Sequence, residues 1–219
     1  MNLESDGCEF WDGAISQTDI TKLKLAINEL DQDIPRYGIR SIEKLVSGIE
    51  TLANSRKYLN KAQNFIKAPV KLLSATLFDK SSDENWFVPW HQDRTIPVNN
   101  KFDKIGWSKW TEKRGTLYVE PPTDILQKMI TFRIHLDDVF PKNGCLRFIP
   151  GSHKQKLHEE EKTNYISQKA VNCLRKAGDA FIMRPLLLHS SNKSKSTKPR
   201  KVIHLEYISS ELPFIANLD

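Results

Sequence analysis

From Val70 onward, the chain is divided into short apolar runs separated by turn residues. The runs are rich in β-branched and aromatic residues and are bounded by Pro, Gly, Asn and Asp, which is typical of β-strands. In chain order they read VKLLSATLF, NWFVPWHQD, TLYVE, KMITFRIHLDD, GCLRFIPGSH, DAFIMRPLLLH and RKVIHLEYIS. So many short strands after a helical start predict a mostly β fold, a double-sheet jelly roll backed by N-terminal helices.

The first third of the chain has helical spacing. Residues 16–19 offer N-caps, and apolar residues follow at roughly helical intervals: Ile20, Leu23, Leu25, Ile27 and Leu30. A second helical region opens near Ser41, with apolar residues at spacings of three and four, and a third is predicted over 54–66. Pro35 and Gly38 separate the first two regions.

We therefore expect a single domain over residues 1–219, with a helical part over about 1–68 and a jelly-roll core over about 70–210. The polar segment Glu159–Gln168 is expected to be a surface loop or a short helix. The stretch Thr95–Pro122 is long enough for a loop that acts as a lid over a site.

Composition limits the classes of partner. No segment has the length of apolar sequence that a membrane span needs, and the polar N-terminus does not resemble a signal peptide. Three cysteines without a C-x-x-C pattern favour a reducing, cytoplasmic setting. The net charge of +6 would suit an anionic partner, but the sequence contains no recognisable nucleic-acid-binding motif. We expect no membrane and no nucleic-acid partner, and the oligomeric state stays open.

The stretch VPWHQD holds the first candidate metal ligands, His91 and Asp93. On an extended strand, residues i and i+2 point to the same face, so both side chains could grip one divalent metal. A third ligand is available at His189, which ends the apolar run that begins at Phe181. Two His and one carboxylate form the facial triad of non-haem Fe(II) oxygenases, which leaves adjacent positions for a 2-oxo acid and O2.

Such chemistry needs a second anchor for the far carboxylate of 2-oxoglutarate. Arg200 lies eleven residues after His189, and the planar guanidinium pairs with a carboxylate in a bidentate manner. Ser191 could add a hydroxyl hydrogen bond.

Taken together, these motifs resemble the phytanoyl-CoA dioxygenase family of Fe(II)/2-oxoglutarate-dependent oxygenases. The resemblance covers about residues 72–207 and rests on HQD at 91–93, NGCLRFIPGSH at 143–153, GDAFIMRPLLLHSS at 178–191, and Arg200. It implies a double-stranded β-helix core, Fe(II) bound by His91, Asp93 and His189, and 2-oxoglutarate bound by Arg200. Ser191 matches a hydroxyl residue near the cosubstrate, and Gln92 matches a glutamine beside the site.

One position departs from the family. Arg133 stands where better-known members have a tryptophan. It could line the cosubstrate pocket, reach a carboxylate of the substrate, or face the surface.

The expected reaction couples decarboxylation of 2-oxoglutarate, which gives succinate and CO2, to hydroxylation of a small organic molecule. Asp93 argues against a halogenase, which leaves the carboxylate position open for halide. Two alternatives remain: a non-catalytic metal or small-molecule binding module on the same fold, and a cupin-type metalloenzyme that does not use 2-oxoglutarate. A fatty acyl-CoA substrate follows only from the family's name, and an amino acid or secondary metabolite is equally compatible.

Several other residues have roles that the sequence leaves open. His135 and Asp137 form a second H-x-D, which we rank below the first, and His153 is expected to hold a turn. His204 could touch the cosubstrate if it faces inward. Further candidates for contacts with substrate are the basic run Lys193–Lys201, Lys80, Arg94 and the tryptophans Trp86, Trp90, Trp107 and Trp110.

Overall fold

The computed structural model describes residues 1–31, 33–34, 38–81, 85–113, 115–167 and 170–211. Its α-helices are α1 (Gln17–Asn28), α2 (Ile42–Leu45), α3 (Ser47–Ala53), α4 (Arg56–Ile66), α5 (Thr123–Gln127) and α6 (Glu159–Ile166). Its strands are β1 (Cys8–Trp11), β2 (Ile39–Arg40), β3 (Val70–Lys80), β4 (Val88–His91), β5 (Ile96–Val98), β6 (Ser108–Lys113), β7 (Thr116–Glu120), β8 (Met129–His135), β9 (Leu146–Phe148), β10 (Val171–Asn172), β11 (Ala180–Met183), β12 (His189–Ser191) and β13 (Arg200–Ser209).

The strands form three antiparallel sheets. The large sheet has the order β1-β11-β8-β13-β3-β2, the second sheet has the order β10-β9-β12-β4, and the third has the order β5-β7-β6. Side chains from the large and second sheets line one common cavity, which therefore lies between them. The predicted mostly β fold, with a jelly-roll core and flanking helices, is confirmed.

The long strands of the large sheet are buried on both faces, and their side chains alternate between the faces. On β13, His204 and Glu206 face the cavity, whereas Ile203 and Leu205 pack against the helices. The same alternation directs Arg133 of β8 and Thr76 and Phe78 of β3 into the cavity. Sheet geometry thus supplies the polar lining and the apolar core from the same strands.

Helices α1, α3 and α4 cover the outer face of the large sheet. Tyr58 of α4 packs against Phe132 of β8, with ring centroids 6.1 Å apart, and Phe132 packs against Tyr207 of β13 at 5.1 Å. Each buried aromatic side chain of this kind contributes about 1.5–3 kcal/mol through the burial of apolar surface. The helices therefore hold the large sheet from outside and leave its inner face to the cavity.

Helix α1 begins as predicted. The Ser16 side chain caps it by accepting a hydrogen bond from the Asp19 backbone N–H at 3.1 Å. Ile20, Leu23 and Ile27 are buried, but Leu25 is 60% exposed because it lies two residues from Leu23, almost on the opposite side of the helix. The apolar stripe of α1 is therefore narrower than its sequence suggested.

The second helical region is interrupted at Val46. This residue has extended backbone angles (φ −128°, ψ 96°), so the region forms two short helices, α2 and α3. The third region is confirmed as α4. The mainly helical first third also contains β1 and β2, two short strands at opposite edges of the large sheet. Gly38 has a positive φ of 145°, and Pro35 lies outside the described residues.

Two other predictions need correction. The stretch 95–122 is not a loop, because it folds into the third sheet, β5-β7-β6. The apolar run 181–188 is not one strand, because β11 ends at Met183 and a turn follows, with the Leu187 N–H donating to the Arg184 carbonyl at 3.0 Å.

The polar segment from Glu159 is the helix α6, and Gln168 lies outside the described residues. In the described ranges, none of the helices is both long and apolar enough to cross a bilayer.

Candidate active site

A cavity of about 420 Å³ lies between the large and second sheets. Its lining is rich in charge: it includes five basic side chains but two carboxylates, those of Asp93 and Glu206. The basic residues are Arg40, Arg94, Lys113, Arg133 and Arg200. A cavity with this excess of positive charge is suited to an anionic ligand.

Two strands of the second sheet place the candidate metal ligands at the cavity wall. β4 and β12 are antiparallel neighbours, and His91 of β4 lies directly opposite His189 of β12. The prediction that His91 and Asp93 share one strand is wrong, because β4 ends at His91. Instead, the Asp93 backbone N–H donates to the Pro185 carbonyl at 2.8 Å, which holds this residue beside the start of β12.

The three side chains converge. The distance from His91 Nε2 to Asp93 Oδ1 is 3.5 Å, and that from His189 Nε2 to Asp93 Oδ2 is 3.8 Å. One ligand atom from each residue can be chosen so that all three atoms lie within 4.8 Å of one another. Tertiary folding therefore gathers the two histidines and one carboxylate that the sequence analysis singled out.

The histidines present Nε2 toward Asp93 because Nδ1 is already in use. His91 Nδ1 lies 2.9 Å from the Pro89 carbonyl, and His189 Nδ1 lies 2.7 Å from the Leu187 carbonyl. A carbonyl oxygen can only accept, so Nδ1 carries the proton in each ring, and in the neutral ring Nε2 keeps its lone pair. This arrangement fixes the tautomer and orientation of histidines that bind metals.

The pKa values reflect this cluster. Burial alone would raise the pKa of Asp93, but the two neighbouring imidazoles hold it well below its usual range. Burial lowers the pKa of His189 to about 3. For His91, the interaction with Asp93 outweighs burial and raises the pKa. A metal ligand must be a carboxylate or a neutral imidazole, and a bound divalent cation would favour these forms in all three residues.

The cluster fits a divalent metal. Asp93 Oδ2 is buried and has no hydrogen-bond partner within the described part of the chain. A cation bound between the two Nε2 atoms and this oxygen would satisfy all three groups. Two imidazoles and one carboxylate match the ligand set of non-haem Fe(II) sites.

Arg200 and Ser191 supply further hydrogen-bond donors to the cavity lining. Arg200 is 3% exposed, its Nε has no hydrogen-bond partner, and it forms no ion pair with any residue in the described ranges. Ser191 lies on β12, two residues after His189, and also lines the cavity. A buried guanidinium without an ion-pair partner among the described residues is costly, so an anionic ligand would stabilise this end of the site.

Arg133 lies in the cavity and is 6% exposed, so the surface-facing alternative is wrong. One guanidinium nitrogen lies 2.8 Å from His204 Nδ1, and the guanidinium carbon lies 5.3 Å from the centre of the Phe78 ring. His204 faces inward beside it, and His204 Nε2 lies 3.9 Å from the Glu206 carboxylate. Arg133 therefore adds positive charge on the large-sheet side of the cavity.

Gln92 lines the cavity beside His91 and Asp93, and its side chain is also bound to the surrounding loops. Its amide nitrogen donates to the carbonyls of Leu186 at 2.6 Å and Gln155 at 2.9 Å. Its amide oxygen accepts from the Leu157 N–H at 2.9 Å and from Arg94. With both ends of the amide in use, Gln92 ties together the loops that surround the metal ligands.

The other candidates are distributed more widely. His135 is 2% exposed and neither ring nitrogen has a hydrogen-bond partner in the described residues, yet it lies outside the metal-ligand cluster. Trp86 lines the cavity. Trp107 and Trp110 pack with Phe102 in the third sheet's apolar cluster. Most of the basic run 193–201 is exposed or half-buried, and Arg200 is its buried exception.

The structure also brings to the cavity several residues that the sequence analysis did not select. Arg40 of β2 donates to the Tyr118 hydroxyl at 3.1 Å, and Lys113 lies over the same ring at 5.3 Å. Thr76, Phe78 and Glu206 complete this side. No local motif marks them, since they reach the cavity through the alternation of β3 and β13 and through the edge position of β2.

The chain is similar to known proteins over most of its length. A family model described as phytanoyl-CoA dioxygenase matches residues 3–202. Phytanoyl-CoA dioxygenase 1 of Oryza sativa subsp. japonica is 25% identical over 215 residues, covering 91% of this chain and 62% of the relative. The curated relatives that match are longer, and the chain spans 31% to 62% of their length.

Solved structures share the fold. AviO1 from Streptomyces viridochromogenes Tue57 has a TM-score of 0.72 and 22% identity, covering 96% of this chain and 93% of AviO1. HygX from Streptomyces hygroscopicus, solved with nickel and 2-oxoglutarate bound, has a TM-score of 0.68 and 14% identity, covering 97% of this chain and 86% of HygX.

Proposed function

The chain belongs to the phytanoyl-CoA dioxygenase family, and from this premise we propose that it is an Fe(II)- and 2-oxoglutarate-dependent dioxygenase that hydroxylates a small organic molecule. Residues 1–219 would form one catalytic domain. The observation that carries this proposal is the convergence of His91, Asp93 and His189 on one point in a cavity that also contains Arg200.

His91, Asp93 and His189 are proposed to bind Fe(II). The ligand atoms would be Nε2 of each histidine and Oδ2 of Asp93, which has no hydrogen-bond partner among the described residues. The hydrogen bonds from Nδ1 to the Pro89 and Leu187 carbonyls keep both rings in position. Such support preserves the geometry of a metal site when the metal is absent.

Arg200 is proposed to bind the distal carboxylate of 2-oxoglutarate, with a hydrogen bond from Ser191. A planar guanidinium supplies two parallel N–H donors to a carboxylate, and burial strengthens the pair because water is excluded. Arg133 is proposed to bind the same dianion from the large-sheet side, as its position in the cavity allows. Gln92 is proposed to act indirectly, by holding the surrounding loops.

When bound, iron with 2-oxoglutarate and O2 would supply the oxidising chemistry that converts 2-oxoglutarate to succinate and CO2 and hydroxylates the substrate. The protein's residues orient these groups and exclude water. Phe78, Trp86, Val88 and Leu146 supply the apolar part of the lining, and the volume of about 420 Å³ suits small molecules. We therefore propose a small organic substrate in preference to a long acyl chain.

The test is succinate formation by protein prepared without oxygen and then given Fe(II), 2-oxoglutarate and O2. We expect metal-dependent succinate in the wild type and a fall to background in Asp93→Ala. The matched control is Asp137→Asn, which removes the carboxylate of the second H-x-D motif. Asp137 instead pairs with Lys24 at 2.5 Å, so this variant should retain Fe(II) binding. Mass spectrometry of products formed under isotopically labelled oxygen would identify hydroxylation.

Two outcomes would contradict the proposal. Absence of both turnover and 2-oxoglutarate binding in iron-loaded protein would favour a non-catalytic binding module. Metal-dependent activity on other compounds, with 2-oxoglutarate affinity absent and Arg200→Ala without effect, would favour a cupin-type enzyme. If the proposal is correct, Arg200→Ala should weaken 2-oxoglutarate binding at least about tenfold, the loss expected for one charged hydrogen-bonded pair.

A further inference from the structure

Lys80 is the last residue of β3 and is 0% exposed, which is unusual for a lysine. It lies directly opposite Arg200 in the antiparallel pair β3·β13. Directly opposed residues of an antiparallel pair share one face of the sheet, and like charges in this arrangement are destabilising. Two cations are thus buried next to each other at the end of the cavity proposed to bind an anion.

Two hydrogen bonds and one ring contact engage the Lys80 ammonium group among the described residues. Nζ donates to Ser191 Oγ at 3.0 Å and to the Asn192 carbonyl at 2.9 Å, and it lies 4.8 Å from the centre of the Trp86 ring. Within the described residues, no carboxylate forms an ion pair with it, and the neighbouring Asp79 pairs with Lys201 at 3.2 Å instead. In the described part of the chain, the groups that hold Lys80 in place are therefore neutral.

Gly144 fixes this position from the other side. A Cβ built on Gly144 would lie 3.3 Å from both Cδ and Nζ of Lys80 and 2.6 Å from the Asn192 oxygen. The backbone therefore packs directly on the lysine chain, and φ of Gly144 is 71°, a conformation that glycine adopts without strain. The ammonium group has little freedom to move toward a ligand, so any effect on the ligand must pass through a neighbour.

The neighbour that can transmit such an effect is Ser191. Below its pKa of about 7, Lys80 is protonated. An ammonium group has no lone pair and can only donate, so Ser191 Oγ must be the acceptor of the Lys80 bond. The hydroxyl proton of Ser191 is then available to donate in another direction. Ser191 and Arg200 both line the cavity, so this proton and the guanidinium can serve the same anion.

We propose that Lys80 is a positioning residue that orients and polarises the Ser191 hydroxyl so that it donates to the distal carboxylate of the cosubstrate bound by Arg200. This inference rests on the proposed function, because it assumes that the anion is 2-oxoglutarate. It assigns to Lys80 no contact with the cosubstrate. It predicts instead that the contributions of Lys80 and Ser191 to binding are coupled.

The test is a double-mutant cycle on iron-loaded protein without oxygen at about pH 6, where Lys80 is protonated because its pKa is about 7. Calorimetry gives Kd for Lys80→Met, Ser191→Ala and the double variant. We expect each single change to weaken 2-oxoglutarate binding about tenfold, as for loss of a hydrogen bond to a charged group. The double variant should have about the same Kd as the single variant that binds 2-oxoglutarate more weakly, because both changes remove the same donor, the Ser191 hydroxyl. Fe(II) affinity, measured in the same samples, should stay at its wild-type value.

A second ligand separates positioning from general damage to the fold. 2-Oxobutyrate carries the 2-oxo acid group but has no distal carboxylate, so Lys80→Met should leave its Kd unchanged. Equal losses for both acids, or losses that add fully in the double variant, would overturn the proposal for Lys80. If Lys80→Met does not fold, Lys80→Gln is judged by the same comparison of the two acids. Failure of the wild type to bind 2-oxoglutarate would instead reject the proposed function itself.

Discussion

His91 and His189 are oriented by the same kind of local hydrogen bond. In each case the ring Nδ1 is hydrogen-bonded to the carbonyl two residues earlier, Pro89 for His91 and Leu187 for His189. The donor and acceptor lie in the same short segment, so the orientation depends little on the rest of the fold. A ligand that is oriented in advance loses less conformational freedom when a metal binds.

Lys80 should make the free energy of unfolding depend on pH. Burial, followed by the charges of Arg200 and Arg133, lowers the pKa of Lys80 from 10.5 to about 7, while the nearby Cys145 acts in the opposite direction. Above about pH 7 the unfolded chain keeps a proton that the folded protein releases, so this group makes stability rise with pH. Above about pH 9 the rise is opposed, because burial raises the pKa of Cys8 and Cys173 from 9.0 to about 12.

We therefore expect the free energy of unfolding of the ligand-free protein to gain a contribution from Lys80 between about pH 7 and pH 9. Urea denaturation at several pH values, compared between wild type and Lys80→Met, isolates this contribution because the other titrating groups are common to both. The difference in stability between the two proteins should change with pH across this window. A constant difference would show that Lys80 stays charged in the folded protein.

At the scale of elements, β13 connects the site to the helical layer. Its inner face presents His204 and Glu206 to the cavity, while Tyr207, past a register shift after Glu206, faces outward. The Tyr207 hydroxyl donates to the Ala53 carbonyl at the end of α3, at 2.8 Å. One strand thus links the helices to the cavity wall.

Tyr207→Phe should lower the free energy of unfolding by about 1–2 kcal/mol, because it leaves the buried Ala53 carbonyl without its donor. Urea denaturation provides the measurement, and 2-oxoglutarate affinity should be unchanged. Tyr165→Phe on α6 is the matched control, since that tyrosine is half-buried, and its effect should be within about 0.5 kcal/mol. An equal effect of the two changes would argue against a stabilising role for the Tyr207–Ala53 bond.

At the scale of the whole molecule, the cavity between the large and second sheets contains more positive than negative side chains. Asp93 projects from the second-sheet side, and the buried Arg133 and Arg200 project from the large sheet. A metal and a dianion bound between them would neutralise groups on both sides. Ligand binding should therefore stabilise the association of the sheets as well as the site.

We expect Fe(II) and 2-oxoglutarate, added without oxygen, to raise the free energy of unfolding. A ligand at 100 times its Kd contributes about 2.7 kcal/mol if it binds the folded state alone. Thermal unfolding with and without both ligands measures the effect, and a chelator should reverse it. Asp93→Ala should show little of the increase, whereas an equal increase in this variant would place the ligands elsewhere.

The sequence by itself determined which residues are candidates for the site. The H-x-D pair, His189 and the arginine eleven residues later predicted a site for a metal and a 2-oxo acid because residue type restricts what a side chain can bind, and the family resemblance joined these separate motifs. The strand patterns likewise predicted a mostly β fold, since apolar runs bounded by turn residues can be identified within short windows.

The tertiary structure decided what depends on pairing between distant segments. Register between β8 and β13 directs Arg133 inward, where the sequence left three alternatives. The pairing of β3 with β13 buries Lys80 beside Arg200, and the edge strand β2 brings Arg40 to the cavity. In each case a shift of one residue would reverse the face on which the side chain lies. Such a shift involves residues far apart in the chain, so no local pattern encodes its outcome.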